Sequence, residues 1–233
     1  MKIIARVKSD FPVKFGIPRQ SGRVEALKAM VVMEPEYRNP DVFRGLEEFS
    51  HIWLLWEFSE AADKGWSPTV RPPRLGGNVR KGVFATRSPF RPNPIGLSSV
   101  KLEKIEMNQE LGPVLHISGA DLMDGTPVYD IKPYVETDCH PDAEGGFTKE
   151  TKEHSLTVNI SEELLFKIPQ EKREAVLAVL KEDPRPGYQN DPERIYGMPF
   201  GAQDIRFSVK DGVLTVCEVK EFKDRISCMC MKC

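Results

Sequence analysis

The run IGLSSVKLEKIEMNQELGPVLHISGADLMDGTPVYDIKPYV, residues 95–135, carries the strand rhythm of the chain. IGLSSVKLEKIE, PVLHISGADL and TPVYDIKPYV each have strand composition, and turns rich in Gly, Pro and Asp separate them. Short strands with no long helix between them point to a sandwich or barrel rather than a doubly wound sheet. On the amino-terminal side KGVFATR and IWLLWEF read as further strands, the second a buried one, and KIIARVK as the opening strand. VEALKAMVVM is compatible with helix or strand, and Asn39, Pro40 and Asp41 form a helix-start signal. Around residues 138–150, DCHPDAEGGFTKE, the composition turns polar and suits a linker. Beyond it come a strand, SLTVNI, a helix, PQEKREAVLAVLKED, with Pro169 near its first turn, a stiff loop, DPRPGYQNDPER, and a hairpin, IRFSVKDGVLTVCEV, about a DG turn. The expected fold is mainly β: a β-barrel-like N-terminal domain over residues 1–140 and a small α+β C-terminal domain over 141–233.

The totals set bounds. With 233 residues and 40% hydrophobic side chains the chain can bury a real core. MKIIARVKSDF is too broken by charge for a signal-peptide core, and the longest apolar run, Ile52 to Trp56, is far short of a membrane span. A soluble, cytoplasmic protein is expected. There is no G-x-G-x-x-G after an early strand, no P-loop, no H-E-x-x-H and no G-x-S-x-G. His51, His116, His140 and His154 lack ligand spacing, so no catalytic metal is expected. Cys228, Cys230 and Cys233 crowd the last six positions without a fourth ligand and read as a reduced tail, with a metal shared between two chains as the alternative.

The net charge of −2 conceals an uneven distribution. From Lys64 to Leu102 there is no acid, while Lys64, Arg71, Arg74, Arg80, Lys81, Arg87, Arg91 and Lys101 are all cationic. Within this window GVFATRSPFRPNPIGLSS holds Pro89, Pro92 and Pro94, which lack an amide hydrogen and so mark a stiff extended loop presenting Arg87 and Arg91. RPPRLGGN is a second irregular stretch. A basic window can be a plain solvated face, but arginines gathered on loops suit an anion-binding surface, and RNA or DNA backbone is the expected partner. Other polar groups fall at strand-to-loop junctions: Arg19 and Gln20, Ser59 and Glu60, Arg87, SGAD at 118–121 and DGTPVYD at 124–130. Asp124 with Gly125 reads as a turn, and Asp130 with Lys132 as a surface pair.

PRQSG, LEEFSHIWLLWEF, RPPRLGGN, GVFATRSPFRPNPIGLSSV, DLMDGTPVYDIKPY and DPRPGYQ together resemble the YaeB/TsaA-like family. These are tRNA N6-methyltransferases acting on threonylcarbamoyladenosine next to the anticodon. The resemblance spans residues 18–188 and does not include the cysteine tail. It implies a β-barrel site for S-adenosyl-L-methionine, a small second domain, tRNA as partner and a homodimer. By the same resemblance Arg87 would contact the cofactor and Leu97 pack against it. Pro18, Arg19, Gln20, Ser59, Glu60, Ser118, Gly119, Ala120 and Asp121 would line the pocket, with Asp121 suited to ribose hydroxyls. Arg71, Arg74, Arg80 and Lys81, joined by Arg91, would hold the tRNA backbone. Arg87 and Arg91 are also candidate electrostatic stabilisers of the reacting nitrogen, and Asp130 a candidate base. A noncatalytic RNA-binding module, or a methyltransferase for another acceptor, remains open at this point.

Overall fold

The computed structural model describes residues 1–72, 75, 78–148, 155–185 and 191–222. Arg74, His154 and the cysteine tail lie outside the described residues, as do parts of RPPRLGGN, the 138–150 linker and DPRPGYQNDPER. Six strands close into an antiparallel barrel: β1 (Ala5–Lys8), β2 (Lys28–Met33), β3 (His51–Glu57), β6 (Ile95–Asn108), β7 (Gly112–Ser118) and β8 (Pro127–Pro133). Around the barrel the order is β1-β2-β7-β6-β3-β8. Closure leaves no unpaired edge, which is how a small antiparallel sheet avoids edge-to-edge association.

VEALKAMVVM resolves as strand from Lys28, and its burial alternates through Ala29, Val31 and Met33. β3 also alternates: Ile52, Leu54 and Trp56 point into the barrel, while Trp53 and Leu55 are only half-buried on its outside. IWLLWEF is therefore buried on one face, because a barrel has one interior and Trp53 finds its partners outside, with its Nε1 donating to Asp138 Oδ2 at 2.7 Å. That bond holds the Asp138 carboxyl below its ordinary range. The helix-start signal at Asn39 gives a single 3-10 turn, Pro40–Phe43, with the Asn39 side chain accepting from the Asp41 amide.

The largest departure from the sequence reading is KGVFATR. Only Lys81–Gly82 (β5) is strand, paired with Thr69–Val70 (β4), and Val83–Ala85 forms a 3-10 turn. The partner segment is bounded by Pro68 and Pro72, which have no amide to donate, so the ladder stops after two residue pairs. Arg87 thus follows a tight turn and not a strand.

A second sheet has the order β10 (Tyr196–Phe200), β11 (Gln203–Lys210), β12 (Val213–Glu221), β9 (Thr157–Asn159). The hairpin turn Asp211–Gly212 has positive φ at both residues (49° and 78°), the geometry that matches strand twist and that a DG pair tolerates. SLTVNI contributes only β9, which runs parallel to β12. Between them lie α1 (Glu162–Phe166), capped by the Ser161 hydroxyl, and α2 (Gln170–Lys181), which buries Ala175, Val176, Val179 and Leu180 against the sheet. α1 and β10 are additions to what the sequence reading identified.

The core of this second unit takes in residues from far upstream. Phe11, Val24 and Leu27 are buried in it, and the Phe11 ring meets Phe200 edge-on at 5.2 Å. Lys172 Nζ lies 2.5 Å from Asp10 Oδ1, Arg23 pairs with Glu182, and the Gly201 amide donates to the Asp10 carbonyl at 2.7 Å. The segment between β1 and β2 is therefore a strap that leaves the barrel, packs on the second unit and returns. At roughly 1.5–3 kcal/mol for each large buried apolar side chain, Phe11 and Leu27 alone bind the units firmly.

Candidate active site and nucleic-acid groove

One end of the barrel opens into a cavity of about 490 Å³. Four chain segments form it: the strap at 14–20, the end of β3 with the 3-10 helix Ser59–Lys64, the proline loop running into β6, and the turn from Asp121 to Thr126. Of the expected pocket residues, Pro18, Arg19, Gln20, Ser59, Glu60, Arg87, Leu97 and Asp121 line it. Ser118, Gly119 and Ala120 do not. The Ser118 hydroxyl donates to Glu103 Oε1 on another face at 2.6 Å, Ala120 is packed in the barrel core, and Gly119 exchanges backbone hydrogen bonds with Gly22 and Leu27. These three fasten the strap and the barrel behind the wall. Asp130 also lies outside the lining and pairs with Lys132 Nζ at 3.0 Å, as a surface pair would.

The floor has a hydrogen-bond chain that alternation hid in the sequence. Trp56 Nε1 donates to Ser98 Oγ at 2.9 Å, and the Ser98 hydroxyl donates to Asp121 Oδ1 at 2.6 Å. Burial raises the Asp121 pKa above its ordinary value, opposed by the Ser98 hydroxyl, backbone amides and the positive charge of Arg87. The Arg87 guanidinium donates to Gln20 Oε1, so the proline loop and the strap are tied across the cavity mouth. Lys14 Nζ and Glu60 Oε2 face each other at 3.8 Å on the same rim. Beside Glu57, another wall residue, burial and the Glu57 carboxylate push the Tyr129 hydroxyl up to about 12, so the phenol stays a proton donor. Trp56 and Phe58 meet at 4.3 Å between ring centroids and give the cavity an aromatic wall.

The Asp121 shift predicts a stability effect. A carboxyl whose folded pKa exceeds its unfolded one stabilises most below the unfolded value and loses that contribution as pH rises through the folded value. Asp121→Asn, which keeps an acceptor for Ser98, is expected to melt above the parent protein at pH 7, with the gap closing as pH falls below the ordinary carboxylate range. Thermal melts across pH measure this, and a gap that widens at low pH would contradict it.

Beside the cavity runs a broader groove of about 1360 Å³. Arg19, Gln20, Thr86, Arg87, Pro89 and Phe90 line both spaces and form the ridge between them. Arg71 and Arg80 line the groove, Arg80 with one guanidinium nitrogen on Thr69 Oγ1 at 2.9 Å. Lys81 stands at its border, 5.4 Å above the ring of Phe147, which does line it. Arg91 belongs to the cavity side: it donates to the Val83 and Thr86 carbonyls at 3.1 and 2.7 Å and braces the proline loop. Among the described residues that line the groove there is no Asp or Glu, in keeping with the acid-free window of the sequence.

Sequence reasoning did not reach Trp56, Phe58, Ser98 or Phe90 as site residues. Gly96 offered a signal, because glycine inside a strand often marks a close approach. Here it is the Trp56 indole that lies against the backbone at Gly96. Among the described residues no cluster could hold a metal ion, and no helix is long and apolar enough to cross a membrane.

Comparison with known proteins gives one consistent result. Residues 6–139 match the tRNA-methyltransferase O N-terminal domain, and residues 153–222 the TrmO C-terminal domain. A tRNA (adenine(37)-N6)-methyltransferase of Escherichia coli is 40% identical over 217 residues, covering 89% of this chain and 92% of that protein. One of Eikenella corrodens is 46% identical over 170 residues, 72% of this chain and 95% of the relative. A crystal structure of TrmO from Pseudomonas aeruginosa superposes with a TM-score of 0.75 at 33% identity, covering 94% of this chain and 97% of that one.

Proposed function

This chain belongs to the tRNA-methyltransferase O family and is a tRNA adenine-N6 methyltransferase, and we propose that it methylates N6-threonylcarbamoyladenosine next to the anticodon, with S-adenosyl-L-methionine bound in the barrel-end cavity. The observation that carries this reading is the pairing, across one shared ridge, of a cavity and a groove whose described lining holds arginines and no acid. A methyl donor and a polyanionic acceptor need just such adjoining spaces.

The residues present fit the donor. A cavity of about 490 Å³ is within the usual range for a ligand of that size, and its aromatic wall suits both an adenine ring and a sulfonium cation. Asp121 supplies an acceptor for ribose hydroxyls whose geometry is fixed through Ser98 and Trp56. Arg87, oriented by Gln20, supplies a planar fork for a carboxylate. When bound, S-adenosyl-L-methionine supplies an electrophilic methyl group whose bond to sulfur breaks as the bond to nitrogen forms. The protein's share is positioning: the ridge holds the acceptor nitrogen in line and excludes water from the contact. That nitrogen belongs to a urea-like group and gives up its proton to solvent before it attacks, and the positive charge of Arg87 on the ridge favours the anion so formed. The acceptor's phosphates fall to Arg71, Arg80 and Lys81. We assign methyl transfer to residues 1–140 and support of the strap to 141–233, and we place the enzyme in the cytoplasm as a homodimer, following the family resemblance.

Purified protein incubated with S-adenosyl-L-methionine and tRNA from a strain lacking this enzyme is expected to yield N6-methylated threonylcarbamoyladenosine by nucleoside mass spectrometry. Methylation of unmodified adenosine alone would overturn the acceptor assignment.

A further inference from the structure

The groove contains a feature that phosphate binding leaves unexplained. Phe84 is 77% exposed, the most exposed phenylalanine among the described residues. Its exposure is enforced by the turn beneath it. Val83 is buried, its amide donates to the Pro68 carbonyl at 3.0 Å, and its own carbonyl accepts from the Thr86 amide (3.1 Å), the Thr86 hydroxyl (2.9 Å) and Arg91 Nη1 (3.1 Å). With Val83 held inward by four hydrogen bonds, the next side chain is fixed outward, over the groove. Arg91 lies 5.7 Å from the ring centroid, so the ring is steadied from one side and open on the other. Phe90 and Phe147 also line this groove, so aromatic side chains share it with Arg71, Arg80 and Arg87, and among the described lining residues there is no carboxylate. A cationic channel studded with aromatic rings is the physical signature of binding to unpaired nucleotides, whose bases stack on the rings while the phosphates follow the charge. A duplex, with its bases already stacked, would gain nothing from such a ring.

We propose that Phe84 is a stacking platform for a base flanking the target adenosine in the unpaired loop of the tRNA, and that this stacking turns the acceptor nitrogen over the shared ridge toward the cavity. The inference rests on the tRNA methyltransferase reading above and names the positioning residue for its acceptor. The neighbouring base, taken out of its own stack, is held on Phe84, and the adenosine beside it is left free to enter the cavity. Phe84 touches no reacting atom.

The test is a double-mutant cycle read by fluorescence anisotropy on an anticodon stem-loop RNA carrying threonylcarbamoyladenosine. Phe84→Ala is expected to weaken binding about ten-fold, within the range for one base-to-aromatic stack, and Phe84→Trp to restore it. S-adenosyl-L-methionine affinity should be unchanged by calorimetry. The salt dependence should also be unchanged, whereas Arg80→Ala should lower its slope by about one. With RNA made abasic at both flanking positions, the difference between parent and Phe84→Ala should vanish. An equal loss on abasic RNA, no loss on intact RNA, or conversion of a dimer to monomer by sedimentation would each overturn the proposal, the last by making Phe84 a protein contact. If the parent protein itself neither binds nor methylates the stem-loop, the functional assignment fails instead.

Discussion

Arg87→Ala is expected to lose about 100-fold in S-adenosyl-L-methionine affinity and in turnover, the scale for removing one partner of a charge pair that a bound ligand would bury at the cavity mouth. Two effects combine. The guanidinium is fixed by Gln20 on the opposite side of the mouth, so its loss also releases the proline loop from the strap. Its positive charge also opposes the burial that raises Asp121. Without it the Asp121 carboxyl titrates still higher, so the acid limb of the pH–rate profile should move to higher pH. Arg87→Lys separates the two effects, since it keeps the charge but not the planar fork: the acid limb should return toward that of the parent while affinity stays reduced. Calorimetry and pH–rate profiles of the three proteins decide the matter. Unchanged affinity together with an unchanged profile in Arg87→Ala would remove this residue from the site.

Gly96→Ala should be the most damaging single-methyl change in the barrel. The added carbon would overlap the six-membered ring of Trp56, and that ring cannot yield easily. It is held by its Nε1 bond to Ser98 and by its contact with Phe58. Overpacking of this kind costs roughly 3 kcal/mol, a fall of roughly 10 °C in Tm for a chain of this size. Because Ser98 connects Trp56 to Asp121, the displacement reaches the cavity floor, and cofactor affinity should fall along with stability. Differential scanning calorimetry and ligand titration on the same sample test this. A melting point within about 2 °C of the parent, roughly a fifth of the expected shift, would show that the barrel relaxes around the extra methyl.

Much of this architecture can be read from the chain because local signals and tertiary packing agree. The alternation in SSVKLE, the apolar content of PVLHIS, the DG turns and the proline-braced loop each favour one conformation, and the barrel uses it. KGVFATR misleads because its strand composition is overruled by the prolines of its partner segment, a non-local fact. α1 is short and β10 contains Pro199, so neither shows enough periodicity to register. The cavity was legible where charged or polar residues stand on loops, as at Arg19, Gln20, Glu60 and Arg87. It was illegible where ordinary strand residues turn inward, as at Trp56 and Ser98, because periodicity says which residues share a face but not what space that face encloses. Ser118 to Ala120 show the converse: SGAD is polar and sits on a turn, yet only its last residue reaches the cavity.

The strap between β1 and β2 makes Pro18, Arg19 and Gln20 tenants of two foundations at once. Their backbone leaves the barrel at Lys8, is clamped by Phe11 against Phe200, and re-enters at Lys28. A disturbance far off in the carboxyl-terminal sheet therefore has a short mechanical route to the rim of the cavity. A barrel excised from its companion would keep its six-strand wall but lose the buttress on which that rim leans, so the second unit is a foundation of the cavity mouth and not an appendage.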